Sequence, residues 1–367
     1  MSSACLSRFV LLAVLVGWMG WAGLGEVEGA ETISQVELRR AIGRALPLIE
    51  RSAAQTLKAK DCFTCHHGAH AAMALNEAWV HGFRLQRNSL EDQLERAYHE
   101  LVTEQPRFKK GFSVSNTADG PGHALWMLQV AGWERDAVTD GAVEFFLSQQ
   151  QRSGNWETSP ARSPTVGSSF TVTFLALRAL KNYGKAEDIR ESLVKAEEWL
   201  LKTPAEDTED RVYRLRALHL LEQREAMEVE VKKLLSEQRK DGGWGQMGFL
   251  DSDAYATGTA LAALVDTGAI TVASAEYKRG VEYLLREQKS DGSWYVKKRT
   301  RSQQPMFESG FPYGQDQFIS YSATCWATYA LLKAMPVERR RAKRDFLSSE
   351  GKGRLKKMTN DEVRPRP

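Results

Sequence analysis

The stretch "VEYLLREQKSDGSW" at residues 281–294 decides the fold of this chain, because two other segments repeat its pattern without gaps. They read "VEFFLSQQQRSGNW" at residues 143–156 and "VKKLLSEQRKDGGW" at residues 231–244. Each copy starts with apolar residues at the spacing of an amphipathic helix. Each then carries a glutamine, a glycine where the helix stops and φ must be positive, and a tryptophan two positions later. Such self-similarity predicts a repeat architecture.

A second helix rich in Ala, Thr and Ser follows each tryptophan after a loop, as in "SDAYATGTALAALVDTG" at residues 252–268. Small residues on most faces indicate a helix that is packed on several sides. The repeated unit is therefore an outer amphipathic helix, a Gly/Trp turn and an inner buried helix, and the fold class is all-α with six such hairpins. Outer helices are predicted at 37–58, 90–104, 136–150, 187–202, 225–237 and 275–287, and inner helices at 65–81, 122–130, 168–183, 211–221, 253–266 and 320–335. Breakers such as Pro106 are expected between them.

The two ends of the chain differ from this helical body, which is predicted as one domain over residues 31–336. Arg8 precedes an apolar run at 9–25, which predicts a secretory signal peptide over residues 1–30. An uncleaved membrane anchor is the alternative. Either interpretation predicts an exported protein that is periplasmic, secreted or membrane-anchored. Residues 337–367 are basic with few apolar residues, so we expect a disordered tail that could touch an anionic membrane surface.

The segment "KDCFTCHHGAH" at residues 60–70 is the clearest chemical motif. Cys62, Cys65 and His66 spell Cys-x-x-Cys-His, the spacing at which a c-type haem is attached through two thiols and one histidine. Zinc is an alternative, held by the two cysteines and one or two of His66, His67 and His70, since His66 and His70 lie one helical turn apart. The third possibility is a Cys62–Cys65 disulfide, or no cofactor at all. The cofactor prediction is therefore haem c, with zinc or none as alternatives.

A haem iron bound by His66 would need a sixth ligand from another part of the chain. His70 projects on the same side of the predicted helix as His66 and is excluded. The candidates for this ligand are Met73, His123, Met247 and Tyr313.

The Gln…Gly-x-Trp turns, followed by small-residue helices, resemble the repeats of squalene–hopene cyclases and of protein prenyltransferase β-subunits. The segments "CFTCHH", "SDAYATGTALAAL" and "ESGFPYGQDQFISYSATCWA" also resemble a group of exported bacterial proteins with this repeat. The resemblance implies a single α/α toroid, in which an inner ring of parallel helices lies inside an outer ring that runs the other way. It also implies that the inner helix N-termini meet at one mouth, where they favour an anionic or electron-rich ligand group.

The resemblance also suggests which residues share that mouth. Cyclases of this type use an Asp-x-Asp-Asp motif, in which a protonated aspartic acid attacks an alkene. The segment "DSDA" at 251–254 offers Asp251 and Asp253 as catalytic candidates, but Ala254 removes the third acid, and the chain is too short for the second helical domain of those cyclases. Helix capping is the alternative role for both aspartates. The prenyltransferase zinc set is also incomplete, because Ser322 stands near the place of a histidine ligand. Further pocket residues are expected at His123, Tyr255, Tyr313 and Tyr321.

The longest connection, at residues 295–318, is expected either to arch over the mouth as a lid or to form a surface Ω-loop packed on its own aromatic side chains. In the first case Phe307, Phe311 and Tyr313 would close on an apolar ligand.

Three functional hypotheses follow. The first is an exported redox or ligand-binding protein with one covalent haem. The second is a metal- or acid-dependent enzyme, cyclase-like, lyase or hydrolase, that acts on a lipid or polysaccharide. The third is a non-catalytic interaction scaffold. The mouth suits a small apolar or anionic ligand, whereas the formal net charge of only +3, with the basic excess in the tail, argues against nucleic acid.

Overall fold

The part of the chain that the structure describes contains twelve α-helices, which alternate between an outer and an inner position. The structure is a computed structural model that describes residues 33–60, 65–113, 118–158, 164–165, 167–300, 307–337 and 353. The outer helices are α1 (Gln35–Ala59), α3 (Arg87–Phe108), α5 (Ala137–Gln149), α7 (Ala186–Lys202), α9 (Arg224–Ser236) and α11 (Ala275–Glu287). The inner helices are α2 (Cys65–Val80), α4 (Asp119–Val130), α6 (Ser169–Tyr183), α8 (Thr208–Leu220), α10 (Ala254–Asp266) and α12 (Gln317–Lys333). A 3-10 turn at Gly314–Asp316 precedes α12.

The inner helices close into a ring. Helix α2 packs on α4, α4 on α6, α6 on α8, α8 on α10, α10 on α12, and α12 returns to α2. Residues near the starts of neighbouring inner helices contact each other, for example His67 and Tyr321. Residues near their ends also do so, for example Arg216 and Asp266. The inner helices therefore run parallel. The described residues contain no strand. The predicted all-α toroid is therefore confirmed.

The helix bounds differ from the prediction mainly where a proline or a polar cap was taken as a break. Helix α3 continues through Pro106 to Phe108, so the predicted break at Pro106 is wrong. Proline removes one backbone donor there, and the remaining bonds of the last turn still form. Helices α4, α8 and α12 each begin three residues before the predicted start. The predicted signal peptide at 1–30 lies outside the described residues, as does the tail apart from residues 337 and 353. Among the described helices, none is long and apolar enough to cross a bilayer.

The three Gly/Trp turns explain how each hairpin docks on the next. Each tryptophan is fully buried, and its indole N–H donates to a carbonyl of the preceding outer helix at 2.7–2.8 Å. Each repeat glutamine donates both to its own turn and to a carbonyl of the following outer helix, namely Gln150 to Ser192, Gln238 to Glu276 and Gln288 to Ala41. The repeat residues are therefore structural, and the last of these bonds ties the sixth hairpin to the first.

Candidate functional site

The structure describes only part of the Cys-x-x-Cys-His motif at residues 62–66. Cys62 lies outside the described residues, and only the backbone of Cys65 and His66 is described, where it begins helix α2. The haem, zinc and disulfide interpretations of these three residues are therefore untested. Among the side chains that the structure describes, no group of three or more His, Cys, Asp or Glu could hold a metal ion.

The two histidines that follow the motif lie inside the ring. His67 stacks on Tyr321 with ring centroids 3.9 Å apart, and the Tyr321 hydroxyl donates to the His67 carbonyl at 3.1 Å. His70 lies one turn further along α2, with its ring centroid 6.0 Å from that of His123 and 5.4 Å from that of Trp326. Burial, and the charges of His123 and His67, hold the pKa of His70 well below its ordinary value. His70 is therefore a neutral imidazole at pH 7.

His123 has a tautomer that its hydrogen bonding fixes. Its Nδ1 lies 2.8 Å from the Asp119 carbonyl oxygen, which can only accept, so Nδ1 carries the proton. Its Nε2 is buried without a hydrogen-bond partner among the described residues. Burial lowers the pKa of His123, so the ring is neutral. A carbonyl-oriented imidazole with an available Nε2 lone pair is the arrangement that metal-ligating histidines adopt.

The predicted catalytic aspartates lie at the start of helix α10. Asp253 caps the helix, because its Oδ1 accepts from the backbone N–H groups of Tyr255 and Ala256, both at 2.9 Å. Its Oδ2 pairs with the Arg299 guanidinium. Asp251 is exposed to solvent. The capping role that the sequence allowed for Asp253 is therefore observed.

The remaining predicted pocket residues divide into two groups. Tyr255 and Tyr321 are fully buried inside the ring. Tyr313 lies outside it at a left-handed backbone position (φ 84°), where its hydroxyl lies 2.6 Å from Ser293 Oγ in the last Gly/Trp turn.

Residues 295–300 and 307–318 of the long connection pack on their own aromatic side chains, while 301–306 lie outside the described residues. Phe307 contacts Phe318 at 5.2 Å between ring centroids, and Phe311 contacts Tyr321 at 5.5 Å. The second contact places this connection over the start of helix α12.

One buried acidic residue of the inner helices was not predicted from the sequence. Glu209, in the segment "DTED" at 207–210, is the second residue of helix α8 and is 1% exposed. Its Oε1 accepts from the Thr171 hydroxyl at 3.2 Å and from the Tyr255 hydroxyl at 3.3 Å. Its Oε2 is buried without a hydrogen-bond partner among the described residues.

The protonation state of Glu209 follows from these surroundings. Burial, and then the charge of Asp207, raise the pKa of Glu209 well above its ordinary value, although the two hydroxyl donors oppose the shift. These surroundings therefore favour the protonated form of the carboxyl group. Because Oε1 receives both hydroxyl protons, the acidic proton of Glu209 belongs on Oε2.

A series of aromatic rings in contact with one another begins one helical turn from this acid. Tyr213 follows Glu209 by one turn of α8, its ring centroid is 5.5 Å from that of Phe174, and Phe174 is 6.0 Å from Trp126. Trp126 in turn lies 6.1 Å from Trp326. These four rings are at most 4% exposed, so in this state the ring interior is packed with side chains.

The segment "DTED" contains the sequence pattern from which Glu209 could have been predicted. The segment stands at the start of an inner helix and differs from Asp-x-Asp-Asp by one methylene group, in the position of the third letter. With aspartate required at the third position, the motif pointed to "DSDA" beside a Gly/Trp turn and not to "DTED".

A protein-family model matches the part of the chain that contains Glu209. The model of the squalene-hopene cyclase C-terminal domain matches residues 206–313, which begin just before "DTED". The solved structure of the type II terpene cyclase MstE from Scytonema without ligand is 15% identical with a TM-score of 0.52, and the match covers 82% of this chain and 99% of that one. A variant of MstE bound to its substrate geranylgeranyl dihydroxybenzoate is 14% identical with a TM-score of 0.53, over 81% and 99% of the two chains.

No curated protein matches the chain. The structural match covers nearly all of MstE. At such low identity, the likeness establishes the fold alone.

Proposed function

We propose that this chain, whose all-α toroid is similar to that of the type II terpene cyclase MstE, is an acid-catalysed cyclase of an isoprenoid alkene. Glu209 is the proton donor. The observation that carries the proposal is a buried carboxyl group on an inner helix, with one oxygen held by two hydroxyl donors and the other without a partner among the described residues. We place the acid at Glu209 rather than at Asp253, because Asp253 is held in an ion pair with Arg299.

The proton transfer is chemically balanced. The proton leaves Glu209 Oε2 for one carbon of the alkene, the π electrons form the new C–H bond, and the other carbon becomes a carbocation. The Thr171 and Tyr255 hydroxyls then stabilise the carboxylate that remains, since hydrogen bonds to an ionised acceptor are the strong ones. The carbocation is attacked by the next alkene of the same chain, and loss of a proton ends the reaction.

The aromatic side chains have two functions in this proposal. The faces of Phe174, Tyr213 and Trp126 attract a carbocation through their quadrupoles. They also keep water away from it, which would otherwise capture the cation as an alcohol. Because the same rings fill the interior here, we expect some of them to rotate when a substrate chain enters.

The test uses purified protein with geranylgeraniol and squalene in D₂O. We expect a product that carries one deuterium from the initiating proton, identified by mass spectrometry. Glu209→Gln should lower the rate by roughly a hundredfold or more, within the range for a general acid. The matched control is Glu206→Gln, which removes an exposed carboxylate three residues away and should leave the rate unchanged. Unchanged turnover in Glu209→Gln, or no product from either alkene, would refute the proposal.

A second candidate function is favoured by His123. We propose as this alternative an exported haem protein in which Cys62 and Cys65 hold the haem covalently and His66 binds its iron. The haem, when bound, supplies one-electron redox chemistry. Helix α4, which carries His123, packs on α2, and the fixed tautomer of His123 leaves Nε2 available as a ligand. This observation favours His123 among the four residues considered as a further haem ligand.

The absorption spectrum tests this alternative. Protein made in a host that attaches haem in its periplasm should show a Soret band that survives acid–acetone extraction, and Cys62→Ser together with Cys65→Ser should abolish the covalent attachment. His123→Ala should change the ligand-field bands without removing the haem. Colourless protein that contains zinc would support the zinc interpretation of the motif instead, and colourless protein without metal would leave a disulfide or a scaffold role.

A further inference from the structure

The outer helix α1 carries a row of exposed cations on one face. Arg40, Arg44, Arg51 and Lys58 are all exposed, and at 3.6 residues per turn they lie within an arc of about 40° around the helix. The row from Arg40 to Lys58 is about 27 Å long at a rise of 1.5 Å per residue. Gly43 lies beside it, and a Cβ added there would meet nothing within 4 Å, so the surface is open at this point. We call these four residues the α1 cation row.

The α1 cation row lacks the acidic partners that other outer helices provide. On α7, Lys195 and Lys202 each pair with a glutamate one turn earlier, at 2.6 and 3.2 Å. Among the residues that the structure describes, no carboxylate lies within ion-pairing distance of Arg40, Arg51 or Lys58. The two outer helices therefore differ in the charge that they present to solvent.

Helix α1 does not compensate this charge from its own residues. Glu37 is its one exposed carboxylate, since Glu50 is buried. Arg44 donates to the side chain of Gln288, which is neutral. Arg40 and Arg44 are also like charges one turn apart, a pair that destabilises an isolated helix. The row is therefore a strip of net positive charge that an external anion would stabilise.

The C-terminal end of the helical body lies beside the start of α1. The Gln35 side chain donates to the Ala334 carbonyl at 3.1 Å, and His81 Nδ1 lies 3.0 Å from the Pro336 carbonyl oxygen. The chain continues to "RRRAKR" at residues 339–344, which has five cations in six residues. Three residue steps span at most about 10 Å, so this basic segment begins within that distance of Pro336. The two groups of cations therefore belong to one side of the molecule.

We propose that the α1 cation row and the basic segment at 339–344 together bind the surface of a membrane that contains anionic lipids. A straight row of cations on the outside of a closed ring fits a flat layer of phosphate headgroups, and each Lys or Arg near such a surface raises the affinity about fivefold. The apolar run at 9–25 leads into α1, so the segment that directs export or anchors the chain joins the body at this side. The ring interior takes no part, and the proposal stands whether or not Glu209 acts as an acid.

Co-sedimentation of the full protein with lipid vesicles tests the proposal. The measured quantity is a ratio of two affinities, one for phosphatidylcholine vesicles with about 30% phosphatidylglycerol and one for pure phosphatidylcholine vesicles. A retained apolar run would strengthen both by the same factor, so the ratio reports the charges. We expect a ratio of roughly a hundred or more at about 0.1 M salt. It should fall toward one at about 0.5 M salt, because salt screens exposed charges.

A triple variant tests the contribution of helix α1. Arg40→Gln, Arg51→Gln and Lys58→Gln together should lower the ratio at least tenfold, and Arg44 stays in place because it contacts Gln288 of the ring-closing turn. All three side chains are exposed, so the variant should keep the melting temperature of the unmodified protein.

The matched control removes the same number of charges from another outer helix. Arg190→Gln, Lys195→Gln and Lys202→Gln together neutralise three exposed cations of α7. Because α7 carries no unpaired row, this variant should leave the ratio within about twofold of the original value. An equal fall in both triple variants would show that net charge alone decides binding, and it would overturn the proposed surface.

Deletion of residues 338–367 separates the tail from the helix. It should lower the ratio but leave part of the preference for anionic vesicles, since the α1 cation row remains. Complete loss of the preference in this deletion, with none in the α1 variant, would assign binding to the tail alone and overturn the proposal. Equal affinities of the unmodified protein for the two vesicle types would also overturn it. Tighter binding of duplex DNA than of anionic vesicles at the same salt would identify a different polyanion as the partner and refute the membrane assignment.

Discussion

The Gln288 side chain donates to the Ala41 carbonyl at 2.8 Å, across 247 residues of sequence. This bond belongs to the last Gly/Trp turn, and it repeats contacts that Gln150 and Gln238 make with the outer helices that follow them. The first helix therefore receives the last turn as if it were the next repeat. Closure of the ring follows from the repeat itself and needs no special segment.

Gly292→Ala should destabilise this closing contact. Gly292 has φ of +92°, and a Cβ there would lie 2.5 Å from the Arg44 carbonyl oxygen of helix α1. We expect the free energy of unfolding to fall by about 3 kcal/mol, from left-handed strain and from the displaced helix together. Gly268→Ala is the matched control, because its φ of +71° is similar but nothing lies within 4 Å of the added Cβ. Its expected cost is about 1 kcal/mol. If urea denaturation gave the same loss of unfolding free energy for both variants, the close approach of Gly292 to helix α1 would have no role.

The buried ion pair between Arg214 and Glu230 joins helices α8 and α9. Glu230 is fully buried, and Arg211 and Lys233 reach it only at 3.8 Å. Arg214→Met should cost about 3–5 kcal/mol of unfolding free energy, because it leaves a buried carboxylate without its closest partner. Lys202→Met breaks the exposed pair with Glu198 and should change stability by less than about 1 kcal/mol. Urea denaturation of both variants measures the difference, and similar effects would contradict the role of burial.

The toroid could be predicted from the sequence because its contacts repeat. The glycine, the tryptophan and the glutamine recur at fixed spacing, and each makes the same bond in each copy, so a local pattern carries long-range information. Pro106 does not end helix α3, because a proline two residues before the last helical residue costs only one hydrogen bond.

The candidate site could not be predicted in the same way. Glu209 is buried between two other inner helices, which supply Thr171 and Tyr255 as donors, and no spacing along the chain encodes that burial. Arg178 is an ordinary helical arginine in sequence, and its position beside the charges of Arg216 and Asp266 appears only once the ring has closed. The contacts of such groups form only when the ring closes, and a pattern that is local in sequence does not contain that information.

The pH dependence of folding should report the protonated state of Glu209. Its folded pKa lies above the ordinary value of 4.5, so the folded state holds a proton that the unfolded state releases. The stabilising contribution is complete below pH 4.5 and is lost as the pH rises toward the folded pKa. Glu209→Gln has no such proton, so its stability relative to the unmodified protein should increase between pH 5 and pH 7, by up to about 1.4 kcal/mol per pH unit. Urea denaturation at several pH values measures this difference, and a constant difference would mean that Glu209 is ionised in the folded protein.

Tyr255→Phe separates the two donors that hold the Glu209 carboxyl. In the proposed reaction the carboxylate forms as the proton leaves, and the Tyr255 hydroxyl then becomes a charge-assisted donor to Oε1. Removing it leaves Thr171 as the remaining donor among the described residues, so the transition state loses about 1.5–3 kcal/mol and the rate should fall by roughly ten- to a hundredfold with little change in KM. Tyr313→Phe is the control, because that hydroxyl contacts Ser293 outside the ring and should leave the rate unchanged. A Tyr255→Phe enzyme that raises KM without lowering kcat would place Tyr255 in substrate binding and not in support of the acid.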